Sequence, residues 1–199
     1  MPKPKPSLEA LSKEEIAALP TLSFEGPTYL ITTDEMLQEV MPSLRREKLL
    51  GFDTETRPAF KKGEHYLPSV LQLATEETAY VIQLRKLSDH RMVGELLSDE
   101  SIGKIGVAVH DDLIKLNELF KFEPGGFIEL RTLAKKAGIK NNGLRNLAAI
   151  FLRGRISKRS QTSNWANKTL QPAQIQYAAT DAWACIRIYK EMRARNLVG

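Results

Sequence analysis

The most informative segment of the chain is Leu49-Leu50-Gly51-Phe52-Asp53-Thr54-Glu55-Thr56. Its apolar first half predicts a buried strand, and two acids separated by one residue follow at the carboxyl end. Side chains two residues apart point to the same face of a strand, so Asp53 and Glu55 are predicted to lie side by side. Two neighbouring carboxylates repel each other, and a bound cation removes that repulsion.

A second acidic segment follows the apolar residues Gly106-Val107-Ala108-Val109, which predict another short buried strand. A helix is predicted directly after it, with Asp111 and Asp112 in the first turn. On a helical wheel Asp112 shares the apolar stripe of Leu116, whereas Asp111 falls on the wetter side. We therefore expect Asp112 to face the sheet and Asp111 to serve only as a charge at the helix terminus.

A third acidic position lies in the last predicted helix of the chain. Tyr177 and Asp181 are four residues apart, a spacing that stacks the phenol and the carboxylate on one helix face. Carboxylate oxygens are hard ligands that select Mg²⁺ or Mn²⁺, and two such ions about 3.5–4 Å apart suit phosphodiester hydrolysis. Asp53, Glu55, Asp112 and Asp181 together therefore predict a site for two divalent metal ions.

These motifs resemble those of the DEDD 3′–5′ exonucleases, in the subgroup whose third motif is Tyr-x-x-x-Asp. The chain is similar to ribonuclease D and the Werner syndrome exonuclease domain over roughly residues 28 to 190. The segments that carry the resemblance are Phe52-Asp53-Thr54-Glu55, Val70-Leu71-Gln72-Leu73-Ala74, Gly106-Val107, Leu144-x-x-Leu147, Ser163-Asn164-Trp165 and Tyr177-Ala178-Ala179-Thr180-Asp181-Ala182. The resemblance implies an α/β ribonuclease H-like fold, a mixed central β-sheet flanked by α-helices.

The resemblance also implies a function. It indicates a metal-dependent 3′–5′ exonuclease that hydrolyses DNA or RNA from the 3′ end and releases nucleoside 5′-monophosphates, using two Mg²⁺ or Mn²⁺ ions. By resemblance, Asp53, Glu55 and Asp181 hold one metal, Asp53 and Asp112 hold the other, and Tyr177 orients the attacking water. A tyrosine has an ordinary pKa near 10, so it is expected to position the water rather than take its proton.

The distribution of charge supports a nucleic-acid partner. Ten basic residues and no acid lie between Glu129 and Asp181, whereas the rest of the chain contains 19 basic and 24 acidic residues. Such a basic surface suits the phosphate backbone of single-stranded or 3′-ended DNA or RNA. Arg145, Lys158 and Arg159 flank a predicted helix over 143–152 and the loop before the third motif, and are the predicted phosphate contacts.

Other chemistries are weighed against this one. The subgroup that uses a histidine base is excluded, because the residue five positions before Asp181 is Gln176. His65, His90 and His110 have no spacing typical of a metal site. Two alternatives stay open: a module with the same fold that binds nucleic acid without cleaving it, and a phosphohydrolase of free nucleotides. The complete motif set argues against the first, and the basic segment argues against the second.

Periodicity divides the chain into an N-terminal extension with a short helix, residues 1–27, and an exonuclease domain, residues 28–199. The extension's helix begins at Ser7, or at Ser12 with Glu15 forming a capping box. The domain is predicted to contain these elements: a strand at 28–31, a helix at 34–44, the strand bearing Asp53, a hairpin of 69–74 with 78–82, and a strand at 104–109. From residue 111 the chain is predicted to be almost all helix, apart from a short strand near 127–130, with Pro172 opening the last helix.

The composition is that of an ordinary soluble domain, with 199 residues, 42% hydrophobic and 27% charged. The single cysteine, Cys185, permits no internal disulfide and is expected to be a small core residue. The chain has no apolar run long enough for a membrane span, and Met1-Pro2-Lys3-Pro4-Lys5-Pro6 is not a signal peptide. These features favour a reducing, cytoplasmic location without membrane contact.

Overall fold

The computed structural model describes residues 11–198. Within this range one mixed sheet is built from β1 (Thr28–Ile31), β2 (Leu49–Glu55), β3 (Val70–Ala74), β4 (Ala79–Gln83), β5 (Gly103–Gly106) and β6 (Phe127–Glu129). The helices in the same range are α1 (Lys13–Ala18), α2 (Asp34–Arg46), α3 (Arg91–Ser98), α4 (Val109–Leu119), α5 (Leu130–Lys136), α6 (Leu144–Leu152) and α7 (Pro172–Ala194). The strands lie in the order β1-β4-β3-β2-β5-β6.

Strand β2 lies inside the sheet and is paired on both sides. It runs antiparallel to β3, with Asp53 opposite Gln72, and parallel to β5, with Gly51 opposite Ile105. The outer pairs β1–β4 and β5–β6 are also parallel, whereas β3 and β4 form an antiparallel hairpin. The predicted mixed sheet flanked by helices is therefore confirmed.

The two faces of the sheet pack against different helices. Leu50 and Phe52 of β2 face a core that contains the buried side chains of α2, α3 and Leu116 of α4. Burying a side chain of this size stabilises the fold by about 2 kcal/mol. Helices α6 and α7 cover much of the other face. Asp53 and Glu55 alternate with Phe52 along the strand, so they belong to the face that α7 covers.

Helix α7 lies directly on β2 because residue 51 is a glycine. A Cβ atom at Gly51 would lie 1.8 Å from the carbonyl oxygen of Ala182, so no other residue fits without moving the helix. This close approach brings the middle of α7 to the carboxyl half of β2. It therefore sets the distance between the first and third motifs.

Most elements predicted from periodicity are present, but two predictions are wrong. The strand predicted to reach Val109 ends at Gly106; Ala108 is left-handed, with φ 61°, and α4 begins at Val109. The prediction that the chain is almost all helix from residue 111 is too broad: residues 153–171, which include the loop predicted before the third motif, contain no helix and begin with Arg153 at φ 53°. Both errors occur at turns fixed by contacts distant in sequence.

Among the described residues before β1, Phe24 packs against α7. Ser12 and Glu15 form the predicted capping box of α1, which ends at Ala18; the alternative start at Ser7 lies outside the described residues. Further on, the amide of Phe24 donates to Oγ1 of Thr180 at 3.1 Å, and the Phe24 ring is buried. The domain boundary at residues 27 and 28 stays a prediction. Within residues 11–198, none of the helices has the length and apolar character needed to cross a lipid bilayer.

Candidate active site

The structure brings three of the predicted metal ligands together. Asp53 and Glu55 lie at the carboxyl end of β2, and Asp181 lies on α7, above the point where Gly51 admits the helix. Each can offer one carboxylate oxygen such that the three atoms all lie within 4.8 Å of one another. The first and third motifs therefore form one acidic cluster.

Asp112, the fourth predicted ligand, approaches from the other face of the sheet. Its Oδ1 accepts a hydrogen bond from the hydroxyl of Thr54 at 2.7 Å. It is half-buried, whereas Asp111 is exposed, as the helical wheel predicts. Among residues 11–198, Asp112 is not one of the carboxylates that lie within 4.8 Å of each other. Its proposed metal contact therefore remains a prediction.

Tyr177 lies one helical turn before Asp181. Its ring centroid is 5.9 Å from that of Trp165, which is fully buried and therefore packs rather than stacks on a base. Together with the acidic cluster, Tyr177 lines a cavity of about 420 Å³. The phenol and the carboxylates thus share one solvent-connected space.

The acidic cluster is electrostatically unfavourable without a cation. Burial raises the pKa of Asp53 well above its usual range, and the charges of Asp181 and Asp112 raise it further. Burial, with the neighbouring Asp53, raises the pKa of Glu55 to about 10. Four carboxylates that cannot all be charged at neutral pH indicate a site built for positive charge.

Two of the carboxyl groups have partners that favour their charged form. Burial raises the pKa of Asp181 to about 7, opposed by the phenol of Tyr177 and the guanidinium of Arg145. Burial also raises the pKa of Asp112 to about 6, opposed by the hydrogen bond from Thr54. The pKa values of Asp181 and Asp112 are therefore raised less than that of Glu55.

The acidic residues fit a divalent cation. Oδ1 of Asp181 is buried and has no hydrogen-bond partner, which is costly for a carboxylate oxygen unless an ion occupies the space beside it. The donor set consists of carboxylate oxygens, the ligands that Mg²⁺ and Mn²⁺ prefer. Asp53, Glu55 and Asp181 are thus the residues best placed to hold such an ion.

The cavity also contains cationic and amide side chains. Arg145, one of the three predicted phosphate contacts, lines it and donates a hydrogen bond to Oε1 of Gln161 at 2.8 Å. The other two, Lys158 and Arg159, are exposed and do not line it. Arg131 and Asn146 also line the cavity, and the sequence motifs do not identify either residue. For Arg131 the only sequence signal was its place in the basic segment; for Asn146 there was none.

Glu129 does not line the cavity but binds the backbone of residues that do. Its carboxylate accepts hydrogen bonds from the amides of Ala108 at 3.0 Å, Val109 at 2.9 Å and Arg131 at 2.8 Å. These amides lie at the starts of α4 and α5, so one side chain fixes the helix that carries Asp112 and the helix that carries Arg131. The sequence does not identify Glu129 as important, because no pattern among its neighbouring residues shows which amides its carboxylate binds.

Cys185 lies one turn beyond Asp181 and is buried, as predicted. Burial raises the pKa of its thiol, and the nearby charges of Asp53 and Asp181 add to the effect. The thiol is therefore neutral at physiological pH and contributes a small apolar surface to the cavity floor.

This geometry agrees with the family to which the chain belongs. A family model described as 3′-5′ exonuclease matches residues 29–196, so the chain is a member of the 3′–5′ exonuclease family. Among curated relatives, it is 33% identical to exonuclease 3′-5′ domain-containing protein 2 of Drosophila melanogaster over 81% of this chain and 28% of that protein. It is 32% identical to ribonuclease D of Gluconacetobacter diazotrophicus over 83% of this chain and 42% of that protein.

The chain therefore spans less than half the length of these two relatives. Among solved structures, the EXO domain of Aedes aegypti Nibbler superposes with a TM-score of 0.80 at 20% identity, covering 88% of this chain and 92% of that one. This likeness confirms the fold, the ribonuclease H-like α/β arrangement that the sequence predicted. The family resemblance inferred from the motifs is confirmed as well.

Proposed function

We propose that this chain is a metal-dependent exonuclease that hydrolyses phosphodiester bonds of DNA or RNA from the 3′ end and releases nucleoside 5′-monophosphates. The observation that carries the proposal is the cluster of Asp53, Glu55 and Asp181 within 4.8 Å, beside Tyr177 and open to a cavity of about 420 Å³. Membership of the 3′–5′ exonuclease family supports the same activity.

The acidic residues account for metal binding in this proposal. Asp53, Glu55 and Asp181 would hold one divalent ion, and Asp53 with Asp112 would hold a second. Mg²⁺ or Mn²⁺ held by these residues would supply a water of lowered pKa and positive charge to offset that on the leaving 3′ oxygen. The hydrogen bond from Thr54 would orient the carboxylate of Asp112 toward the second ion.

Tyr177 is assigned to orienting the attacking water. Burial raises the pKa of its phenol above the ordinary value, and the charges of Asp181 and Glu55 raise it further. The hydroxyl therefore stays protonated at neutral pH and acts as a hydrogen-bonding group rather than as a general base.

Positive side chains account for substrate binding. Arg145, held by Gln161, is placed in the cavity where it can bind the phosphate beside the scissile bond. Lys158 and Arg159, which are exposed outside the cavity, would contact phosphates further along the strand. Such contacts are independent of sequence and sensitive to salt, as suits an enzyme that removes any terminal nucleotide.

The proposal is tested by following degradation of single-stranded DNA and RNA, labelled in turn at the 5′ and the 3′ end, in Mg²⁺, Mn²⁺ or EDTA. The expected result is a ladder of 5′-labelled products shortening from the 3′ end, with loss of activity in EDTA and in Asp53→Ala. Salt-sensitive binding without degradation in any metal would overturn the proposal and favour the non-cleaving module. Comparing the rates on DNA and RNA substrates of the same sequence establishes which nucleic acid is preferred.

A further inference from the structure

A second concave surface adjoins the active site, and we call it the basic groove. It consists of two cavities of about 310 and 360 Å³ that share Ser69, Arg85 and Ala166 as lining residues. Because they have these residues in common, the two cavities lie side by side, near the start of β3 and the end of β4.

The basic groove begins next to the catalytic end of β2. The amide of Ser69 donates to the backbone carbonyl of Glu55 at 2.8 Å, so the groove wall is hydrogen-bonded to the strand that bears the acidic cluster. On the other side, Trp165 lines the groove and its ring lies 5.9 Å from the ring of Tyr177. These two contacts place the wall of the basic groove directly beside residues of the active site.

The charge of the groove has one sign. Its lining contains no acidic residue and four strong cations: Arg57, Arg85, Lys86 and Lys168. None of these four makes an ion pair with another side chain in residues 11–198. Arg57, Arg85, Lys86 and Lys168 are exposed, so their charges face solvent. Exposed cations that make no ion pair among these residues favour an anionic ligand along the groove.

The groove also has an apolar floor. Leu67, Pro68 and Leu119 line it beside the ring of Tyr66, which lies under the guanidinium of Arg57 at 4.3 Å. Grooves that combine a cationic rim with aromatic and apolar surface bind single strands, since phosphates meet the rim while unpaired bases cover the floor. A duplex would present only phosphates and leave the floor uncovered.

We propose that the basic groove binds the unpaired strand immediately upstream of the 3′ nucleotide that is being removed. The inference rests on the proposed function, since it takes the acidic cluster as the place where the 3′ end lies. It assigns to Arg57, Arg85, Lys86 and Lys168 a role that is separate from hydrolysis. A substrate too short to reach the groove does not use them.

The test compares substrates of two lengths in charge-reversal variants. Arg85→Glu with Lys86→Glu removes two cations of the groove. The matched control is Arg46→Glu with Lys48→Glu, the same exchange at exposed positions beside the amino end of β2, far from the acidic cluster. Values of kcat/KM are measured for a dinucleotide and for a single-stranded dodecanucleotide in Mn²⁺, and binding of the dodecanucleotide is measured by fluorescence anisotropy in EDTA.

The expected result is a loss of about tenfold or more in kcat/KM and in affinity for the long substrate, with the dinucleotide unchanged and the control variant like the wild type. For the long substrate, the slope of log K against log salt concentration should become less steep by about 0.7 for each phosphate contact that is lost. Equal losses on both substrates, or none on the long one, would overturn the groove assignment. Arg85→Gln with Lys86→Gln, a milder exchange, should give an intermediate effect, and its melting temperature checks the fold.

The two proposals fail differently in this experiment. If the wild type hydrolyses neither substrate, the exonuclease proposal fails, while anisotropy still reports on the groove. If the wild type hydrolyses both and reversal of Arg85 and Lys86 has no effect on either rate or binding, only the groove proposal fails. Loss of binding that is equal for a single strand and a blunt duplex would also contradict it, because the floor then plays no part.

Discussion

The hydroxyl of Thr54 donates a hydrogen bond to Oδ1 of Asp112 across 2.7 Å, and this bond joins strand β2 to helix α4. Thr54 lies between Asp53 and Glu55 in sequence but points to the opposite face of the sheet. The acidic residues thus reach the edge of the sheet from both faces. Asp53, Glu55 and Asp181 meet on the α7 side, and Asp112 arrives from the α4 side.

Removing this hydroxyl should disturb Asp112 without disturbing the cluster. In Thr54→Val the carboxylate loses the hydrogen bond that favours its charged form, so its pKa rises further above about 6. We expect kcat to fall by on the order of tenfold at pH 7, with a smaller loss at higher pH. Thr54→Ser, which keeps the hydroxyl, is the control and should retain most of the rate. A Thr54→Val variant with an unchanged pH profile of kcat would show that the bond has no functional part.

Glu129 should matter for both stability and turnover. Glu129→Ala removes the acceptor of three amides, those of Ala108, Val109 and Arg131. Leaving part-buried amides unpaired is expected to cost about 2–3 kcal/mol in the free energy of unfolding, measured by urea titration. Turnover should fall as well, because α4 no longer begins at a fixed place.

A second exchange tests whether Glu129 stabilises the fold by supporting the left-handed conformation of Ala108. Ala108 has φ 61°, a conformation that glycine adopts without the steric cost paid by alanine. Ala108→Gly, added to Glu129→Ala, should therefore recover part of the lost stability. If the double variant is no more stable than Glu129→Ala alone, the left-handed turn is not what Glu129 supports.

The metal-free protein should lose stability as pH rises. The folded pKa values of Asp112 and Asp181 are about 6 and about 7, against ordinary values near 4 in the unfolded chain. Between these limits the folded state binds more protons than the unfolded state, so the free energy of unfolding decreases from pH 4 to pH 7. Unfolding by urea in EDTA at pH 5 and pH 7.5 measures this decrease.

The matched variant for this measurement is Asp181→Asn, which removes one of the carboxyl groups with a raised pKa. Its stability should fall less between the two pH values than that of the wild type, and Mn²⁺ should stabilise the wild type more than the variant. Equal pH dependence in the two proteins would contradict the assignment of the raised pKa to this cluster.

The three predicted phosphate contacts should not be equivalent. Arg145 lines the cavity and Lys158 and Arg159 do not, so Arg145→Ala is expected to lower kcat/KM for a dinucleotide by at least tenfold. Lys158→Ala and Arg159→Ala should affect only longer substrates, each by a few-fold. Dinucleotide kinetics for the three variants make the comparison. A larger loss from Lys158→Ala than from Arg145→Ala would reverse the order proposed here.

The positions of the acidic residues in the fold could be predicted from sequence because their signals are local. The alternation of Asp53 with Phe52, the helical spacing of Tyr177 and Asp181, and the position of Asp112 rather than Asp111 on the inner stripe each depend on a few neighbouring residues. Secondary structure imposes those relationships directly. The family motifs then indicate that the elements bearing these residues meet at one site.

The failures of prediction have a different origin. Val107 and Ala108 have strand-like neighbours, but Glu129, some twenty residues away, binds the amides of Ala108 and Val109 and turns the chain into α4. Residues 153–171 are held in irregular form by contacts such as that of Ser160 Oγ with the carbonyl of Ala173. Likewise Arg145, Lys158 and Arg159 look alike in sequence, and only the fold shows which of them lines the cavity. Contacts between distant residues carry no local signature.

The most direct test of the central claim is the rate at which nucleoside 5′-monophosphate leaves the 3′ end of a single-stranded oligonucleotide, measured across a Mn²⁺ titration. Asp181→Asn and Asp112→Asn are compared with Asp111→Asn, which alters an exposed acid beside the second motif. The account predicts metal-dependent release by the wild type and by Asp111→Asn, and a loss of at least a hundredfold in the other two. Wild-type rates in Asp181→Asn at any Mn²⁺ concentration would contradict it.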